Sequence, residues 1–270
     1  MKEGVIKFKY ELKKKALSAS LDIGELVKYR NKLRCCTERF LPQSSQSTQR
    51  RDFLGLEMKD EKINKGMERG FSMDKRFLPQ SSSTAADSQR RDFLGLEIRK
   101  DNSELPVYGL IGADENGVGY GNISVRYKTS RQFIISASDT GKIKRARRFH
   151  FTMVNSVDIK KNFVSCTGMR AASSESMTHD IIYNLSSGIK CVIHVHNRRL
   201  WKKLLNKVPT TSKSISYGTS EMANDIRRLW VNSDLKEKRI LVMAGHEGGL
   251  VVFGESIEEA YSLIMEYFNG

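Results

Sequence analysis

The run Ile189-Lys190-Cys191-Val192-Ile193-His194-Val195-His196 constrains this chain more than any other stretch of it. It is short, apolar and rich in β-branched residues, the composition of a buried strand. Side chains alternate faces along a strand, so Val192, His194 and His196 share one face and Cys191, Ile193 and Val195 the other. Two imidazoles two residues apart on one face can chelate one metal ion. The chain has only five histidines, His150, His179, His194, His196 and His246, and spends two of them here.

A catalytic metal site usually takes three protein ligands and keeps a fourth position open. His246 is the natural third ligand. It sits in Met243-Ala244-Gly245-His246-Glu247-Gly248-Gly249, where an expected strand ends and a glycine-rich turn begins. His150 and His179 read as structural histidines.

Ser173-Ser174-Glu175 is expected to open a helix over residues 174–185 that leads toward the histidine strand. A helix start presents free N–H groups and the positive end of the dipole, which suits a phosphate. Two hydroxyls join them here. Glu175, in the same turn, is a candidate general base beside a metal-bound carbonyl. The competing reading is an ordinary capped helix with an acid in its first turn.

Two more turns can approach an anion through their backbone. Gly117-Val118-Gly119-Tyr120-Gly121-Asn122-Ile123-Ser124 leads into a strand, and lacks both the spacing and the following helix of a dinucleotide fingerprint. Ser138-Asp139-Thr140-Gly141-Lys142 closes the next strand. Tight turns use the same residues for local reasons, so neither motif is specific by itself.

Strands and helices are interspersed through the rest. Strands are expected over residues 5–10, 121–127, 132–137, 154–159, 162–167, 191–196, 239–244 and 249–253. Helices are expected over 23–33, 174–185, 221–231 and 257–268, the last capped by Ser256. Hairpins mixed with helices imply a mixed, largely antiparallel sheet covered on both faces.

Residues 36–105 break this pattern. Residues 39–57 and 76–97 form an imperfect repeat, identical over the first seven and last nine positions. Two copies are too few for a solenoid. The segment is polar and nearly charge-balanced, with 13 Lys and Arg against 12 Asp and Glu. It resembles peptides encoded by mobile palindromic elements inserted in frame in some bacterial genes. We expect an insert, flexible or surface-extended, in a domain made of residues 1–34 and 106–270.

The net charge of +15 therefore belongs almost entirely to that domain. Its basic clusters, residues 13–15, 142–148 and 198–203, carry no aromatic interleaving and read as solvated faces, so no nucleic-acid partner is expected. No stretch is long and apolar enough to span a membrane, and no signal peptide is evident. The cysteines Cys35, Cys36, Cys166 and Cys191 lack zinc-ribbon spacing. Reduced thiols and a cytoplasmic setting are expected.

Taken in order, GNIS at residues 121–124, Thr140-Gly141, Ser173-Ser174-Glu175 with His179, HVH at 194–196, YGT at 217–219 and the glycine-flanked His246 resemble the class II aldolase/adducin family. The resemblance covers nearly all of the chain outside the insert. It implies a three-layer α/β/α sandwich, a homo-oligomer such as a tetramer, and a phosphorylated small-molecule substrate. It implies Zn²⁺, or another divalent metal, on His194, His196 and His246, and Glu175 as the catalytic acid/base. Asn122, Thr140, Gly141, Ser173 and Ser174 match the family's phosphate cradle.

The activity so implied is that of a lyase, retro-aldol C–C cleavage through a metal-stabilised enediolate. Epimerisation or dehydration of a sugar phosphate is the alternative on the same site. A non-catalytic adducin-like interaction module is the alternative of a different class. The chain departs from the classical aldolases in two places. It has Ser136-Ala137-Ser138-Asp139 where they carry a proline, and no tyrosine between His196 and Tyr217 to match their proton donor.

Overall fold

The computed structural model describes residues 9–19, 21–35, 110–128 and 131–270. The repeat and the expected insert over residues 36–105 lie outside the described residues, as do residues 5–8 of the expected first strand.

Among the described residues eight strands form one sheet: β1 (Lys9–Lys14), β4 (Asn122–Arg126), β5 (Phe133–Ser136), β6 (Phe151–Asp158), β7 (Phe163–Gly168), β8 (Cys191–His196), β9 (Ile240–Val242) and β10 (Gly249–Gly254). Their order is β1-β7-β6-β5-β4-β8-β10-β9. Every pairing is antiparallel except that of β1 with β7. Two short strands, β2 (Gly112–Ala113) and β3 (Gly119–Tyr120), make a separate ribbon.

The alternation read from the histidine strand sorts the two faces of the sheet. Val192 packs in one apolar layer with Phe133, Ile135, Val251 and Phe253. That layer is covered by α2 (Ser176–Tyr183) and α4 (Ser220–Asn232) through Met177, Ile181, Met222 and Ile226. Cys191, Ile193 and Val195 face the opposite layer. There α1 (Gly24–Cys35), α3 (Arg198–Leu204) and α6 (Ile257–Asn269) contribute Leu26, Leu33, Leu200, Leu204, Ala260 and Ile264. A further turn of helix, α5 (Leu235–Lys238), joins α4 to β9. The fold is the α/β/α sandwich around a mixed sheet that the sequence implied.

Local chemistry explains the helices. In α4, Met222, Ala223, Ile226 and Leu229 recur on one face and are buried, and the Thr219 hydroxyl accepts the Met222 N–H at the N-cap. Truncating Ile226 to alanine would leave a void costing about 2–5 kcal/mol. In α6 the expected Ser256 cap is present, its hydroxyl accepting the Glu259 N–H at 3.1 Å.

Three elements differ from expectation. Arg198, Arg199, Lys202 and Lys203, expected as a solvated basic face, lie on α3, a helix the sequence had not marked. Their charges are solvated, while Leu200 and Leu204 on the next positions are buried. Among the described residues the first strand runs over Lys9–Lys14, past the end expected at residue 10, and as an edge strand its pairing with β7 tolerates lysines on both faces. Helix α2 starts at Ser176, so Ser173 and Ser174 occupy the turn before it and Glu175 its N-cap.

Candidate metal centre and adjoining cleft

The centre of the sheet builds the site. Strand β8 lies between β4 and β10, with Asn122 opposite His194 on one side and Gly249 opposite His196 on the other. His246 folds back over this strand pair from the loop between β9 and β10. Gly249 leaves the room for it, since a Cβ there would stand 2.6 Å from His246 Cδ2. The loop is braced from outside: Trp201 Nε1 donates to the Met243 carbonyl at 3.0 Å, Ala244 N donates to Thr211 Oγ1 at 3.2 Å, and the Tyr217 ring lies 4.1 Å from the His246 ring.

The three imidazoles converge. His196 Nε2 lies 3.0 Å from His194 Nε2 and 2.9 Å from His246 Nε2. The candidate ligand atoms of the trio all fall within 4.8 Å of one another, and all three residues are buried. Three imidazoles around one zinc at about 2.0–2.1 Å would hold their nitrogens roughly 3.3 Å apart, so the arrangement needs an adjustment of only a few tenths of an ångström for its two short pairs. His194 Nδ1 faces the Leu250 carbonyl oxygen at 3.1 Å. Donation there places the proton on Nδ1 and leaves the Nε2 lone pair toward the other rings. Burial, with His196 and His179 nearby, holds the His194 imidazole well below its usual pKa and therefore neutral. Buried imidazole nitrogens facing one another are the donor set a divalent cation needs.

A cleft opens beside the trio. It is lined by Asn122, Thr140, Gly141, Ser173, Ser174, Glu175, His194 and His246, with Tyr120 and the Gly119 and Gly121 backbone. Eight of the nine residues singled out in the sequence thus line one cavity, and the ninth, His196, touches both other histidines. Two turns carry much of the remaining lining. An isolated bridge pairs Ala137 with Ala172, and Ser138 N donates to the Ala171 carbonyl at 2.9 Å, so the 137–141 and 171–175 turns are tied together. Thr140 Oγ1 donates to the Ala137 carbonyl at 2.7 Å and closes its own turn. Ser173 Oγ accepts the Glu175 N–H at 3.4 Å. Asn122 Oδ1 is buried with no hydrogen-bond partner among the described residues. Glu175 is 3% exposed and reaches the cleft from the N-terminal end of α2.

The remaining histidines stand elsewhere. His179 is fully buried, its Nδ1 2.7 Å from Ser124 Oγ, which also lies 2.7 Å from Tyr183 OH. Burial drives its pKa to about 3. His150 accepts the Arg147 N–H through Nδ1 in a short 3-10 turn. Trp201 and Thr211 were not singled out from the sequence. Each acts on the site through a backbone carbonyl or N–H, and a sequence pattern carries no mark of such a contact.

A sequence profile described as the class II aldolase and adducin N-terminal domain matches residues 113–268, more than half of the chain. The chain belongs to this family. Among solved structures, an L-fuculose 1-phosphate aldolase is similar at 19% identity over 55% of this chain and 71% of its own, with a TM-score of 0.43. A sugar-phosphate aldolase from Thermotoga maritima is 15% identical over 54% of this chain and 80% of its own, with a TM-score of 0.42. A putative aldolase/epimerase/decarboxylase, YgbL, from Klebsiella pneumoniae is 16% identical over 54% and 73%, with a TM-score of 0.41. No curated protein matches the chain. No helix among the described residues is long and apolar enough to cross a membrane.

The class II aldolase/adducin core thus places a candidate three-histidine metal centre, a buried carboxylate and two backbone turns around one cavity. Class II aldolases typically work with a divalent metal, and His194, His196 and His246 are the residues here that suit one.

Proposed function

We propose that this class II aldolase/adducin protein is a metal-dependent lyase that cleaves a carbon–carbon bond in a phosphorylated sugar or related carbonyl compound. The observation that carries the reading is the convergence of the three histidines and Glu175 on a cavity whose remaining lining is largely two tied turns rich in N–H and hydroxyl groups. A substrate with a carbonyl at one end and a phosphate at the other spans such a cavity.

His194, His196 and His246 would hold a divalent cation, with zinc favoured by three imidazole ligands and an open position. A cation bound there supplies Lewis-acid stabilisation of developing oxyanion charge, worth on the order of several kcal/mol. Asn122, Thr140, Gly141, Ser173 and Ser174 hold the phosphate and fix the reacting carbons near the histidines. In retro-aldol cleavage the hydroxyl beside the breaking bond loses a proton as it becomes a carbonyl, and the carbon left behind gains one. Glu175, buried at the cavity wall, is the group assigned to move that proton. A homo-oligomer working in the cytoplasm belongs to the same proposal.

The test is metal analysis of the purified protein, then incubation of the zinc-loaded form with phosphorylated ketoses. Release of an aldehyde together with a phosphorylated ketone supports the lyase. Interconversion of stereoisomers with no cleavage, or loss of water, sinks it in favour of epimerase or dehydratase chemistry.

A further inference from the structure

Arg30 lies in α1, more than a hundred residues before the 137–141 turn, yet its guanidinium is buried directly behind that turn. It is 1% exposed. Nη1 donates to the Ile143 carbonyl at 2.7 Å, and Nη2 donates to the carbonyls of Thr140 and, at 3.4 Å, Gly141. The neighbouring Asn31 holds the far end of the same loop, its Oδ1 accepting the Ala146 N–H at 2.8 Å and its Nδ2 donating to the Ala146 carbonyl at 3.2 Å.

The peptide geometry turns this contact into a statement about the cavity. All described peptide bonds are trans, and in a trans peptide a carbonyl and the next residue's N–H point opposite ways. Carbonyls of Thr140 and Gly141 drawn to Arg30 leave the N–H groups of Gly141 and Lys142 directed away from it. On that other side stands Gly119, which lines the cavity. A Cβ on Gly119 would lie 3.0 Å from Gly141 N and 3.3 Å from Lys142 N, so a side chain there would crowd both amides. Successive N–H groups aimed into one concavity form an anion nest.

We infer that Arg30 is a positioning residue for anion binding: its guanidinium fork holds the 140–143 carbonyls from behind and so presents the Gly141 and Lys142 N–H groups to the substrate's phosphate. The inference rests on the phosphate cradle of the proposed function and adds to it a residue that never touches the anion. A planar fork matches several carbonyls at once, which a lysine cannot reproduce, and a buried cation one peptide layer away from an anion is weakly screened.

The test uses the full metal-loaded chain with inorganic phosphate as the probe. Calorimetric titration gives the phosphate affinity of the wild type, Arg30→Lys and Arg30→Gln, with metal content and melting temperature taken on the same samples. Arg30→Gln is expected to lose about tenfold or more in affinity at unchanged metal content, and Arg30→Lys to recover part of the loss. In the wild type, phosphate should shift the Gly141 and Lys142 amide resonances. Undiminished affinity in folded Arg30→Gln overturns the inference. So does phosphate binding that moves neither amide resonance, a result that decides even if both variants fail to fold. A wild type that binds no phosphate overturns the sugar-phosphate reading together with this inference, undiminished affinity in folded Arg30→Gln overturns the role of Arg30 alone, and unmoved amide resonances also remove Gly141 from the cradle.

Discussion

His194 Nδ1 meets the Leu250 carbonyl oxygen at 3.1 Å across the pairing of β8 with β10. The backbone of one strand thereby sets which nitrogen of the other strand's histidine keeps its lone pair for a metal. We expect about one divalent ion per chain by elemental analysis. Replacing His194 or His246 by alanine should weaken binding by more than the roughly 10- to 100-fold typical of an outer-shell change. Full metal content in both variants would remove the trio as a site.

Glu175→Gln is expected to retain the metal and lose about 10²- to 10⁴-fold in turnover once a substrate is in hand. The substitution keeps the shape of a side chain buried at the cavity wall and removes only its ability to carry a proton. Turnover equal to wild type would show that the proton moves through another group.

Gly249→Ala probes the close approach of His246 to its own strand. The added Cβ would stand 2.6 Å from His246 Cδ2, closer than a Cβ can settle, so the ring must move. Metal affinity should fall toward that of His246→Ala, with a smaller effect on melting temperature. An alanine variant with wild-type metal affinity would show that the loop has slack.

Asp180, in the middle of α2, gives stability a pH dependence. Burial raises its carboxyl to about 6, against the opposing pull of Arg131, Arg227, Arg126 and the Asn184 amide. A carboxyl raised in the folded state binds its proton more tightly there. Its contribution is complete below the unfolded pKa near 4 and is lost as pH rises through about 6. Asp180→Asn should therefore be more stable than wild type at pH 7, by on the order of 1–2 kcal/mol, with the gain shrinking toward pH 4. His179 acts in the opposite sense. Its pKa is lowered to about 3, so its contribution is present above about 6.5 and is lost as pH falls toward 3. Urea unfolding at several pH values measures both, and a pH-independent difference between Asp180→Asn and wild type would refute the assignment.

Joining Arg34 directly to Pro106 should leave a chain that folds and keeps its metal. The motivation is compositional: residues 36–105 carry the polar repeat, while Leu33 and Leu110 on either side are buried in the same apolar layer. Long loops add little closure entropy, so removing one costs little. Failure of the shortened chain to fold would make the repeat a structural part of the protein.

What the sequence disclosed was periodic or chemically specific. The alternation in residues 191–196 sorts both faces of the sheet correctly, because a one-residue slip would have buried the imidazoles in the wrong layer. The Ser256 cap and the α4 stripe were legible for the same reason: local bonds and a fixed period leave a local trace. The α3 helix was masked by its four basic residues, although Leu200 and Leu204 stand one turn apart. The β2–β3 ribbon is too short to have a period. The pairing of β1 with β7 and the contact of Arg30 with the 140–143 turn depend on partners far along the chain. The sequence around Arg30, Lys28-Tyr29-Arg30-Asn31, reads as one more charged stretch of an exposed helix.

The placement of β1 fixes an order of assembly. Among the described strands β1 comes first along the chain, and its neighbour in the sheet is β7, whose residues follow about 150 positions later. The hairpins from β4 to β7 can zip by short closures, whereas β1 and the helix after it must wait for a platform to exist. During synthesis β1 thus waits for β7, and lysines along an edge strand oppose pairing with other chains meanwhile. Because α1 carries Arg30, the back wall of the anion pocket would then be a late arrival, completed after the turn it supports has already been made.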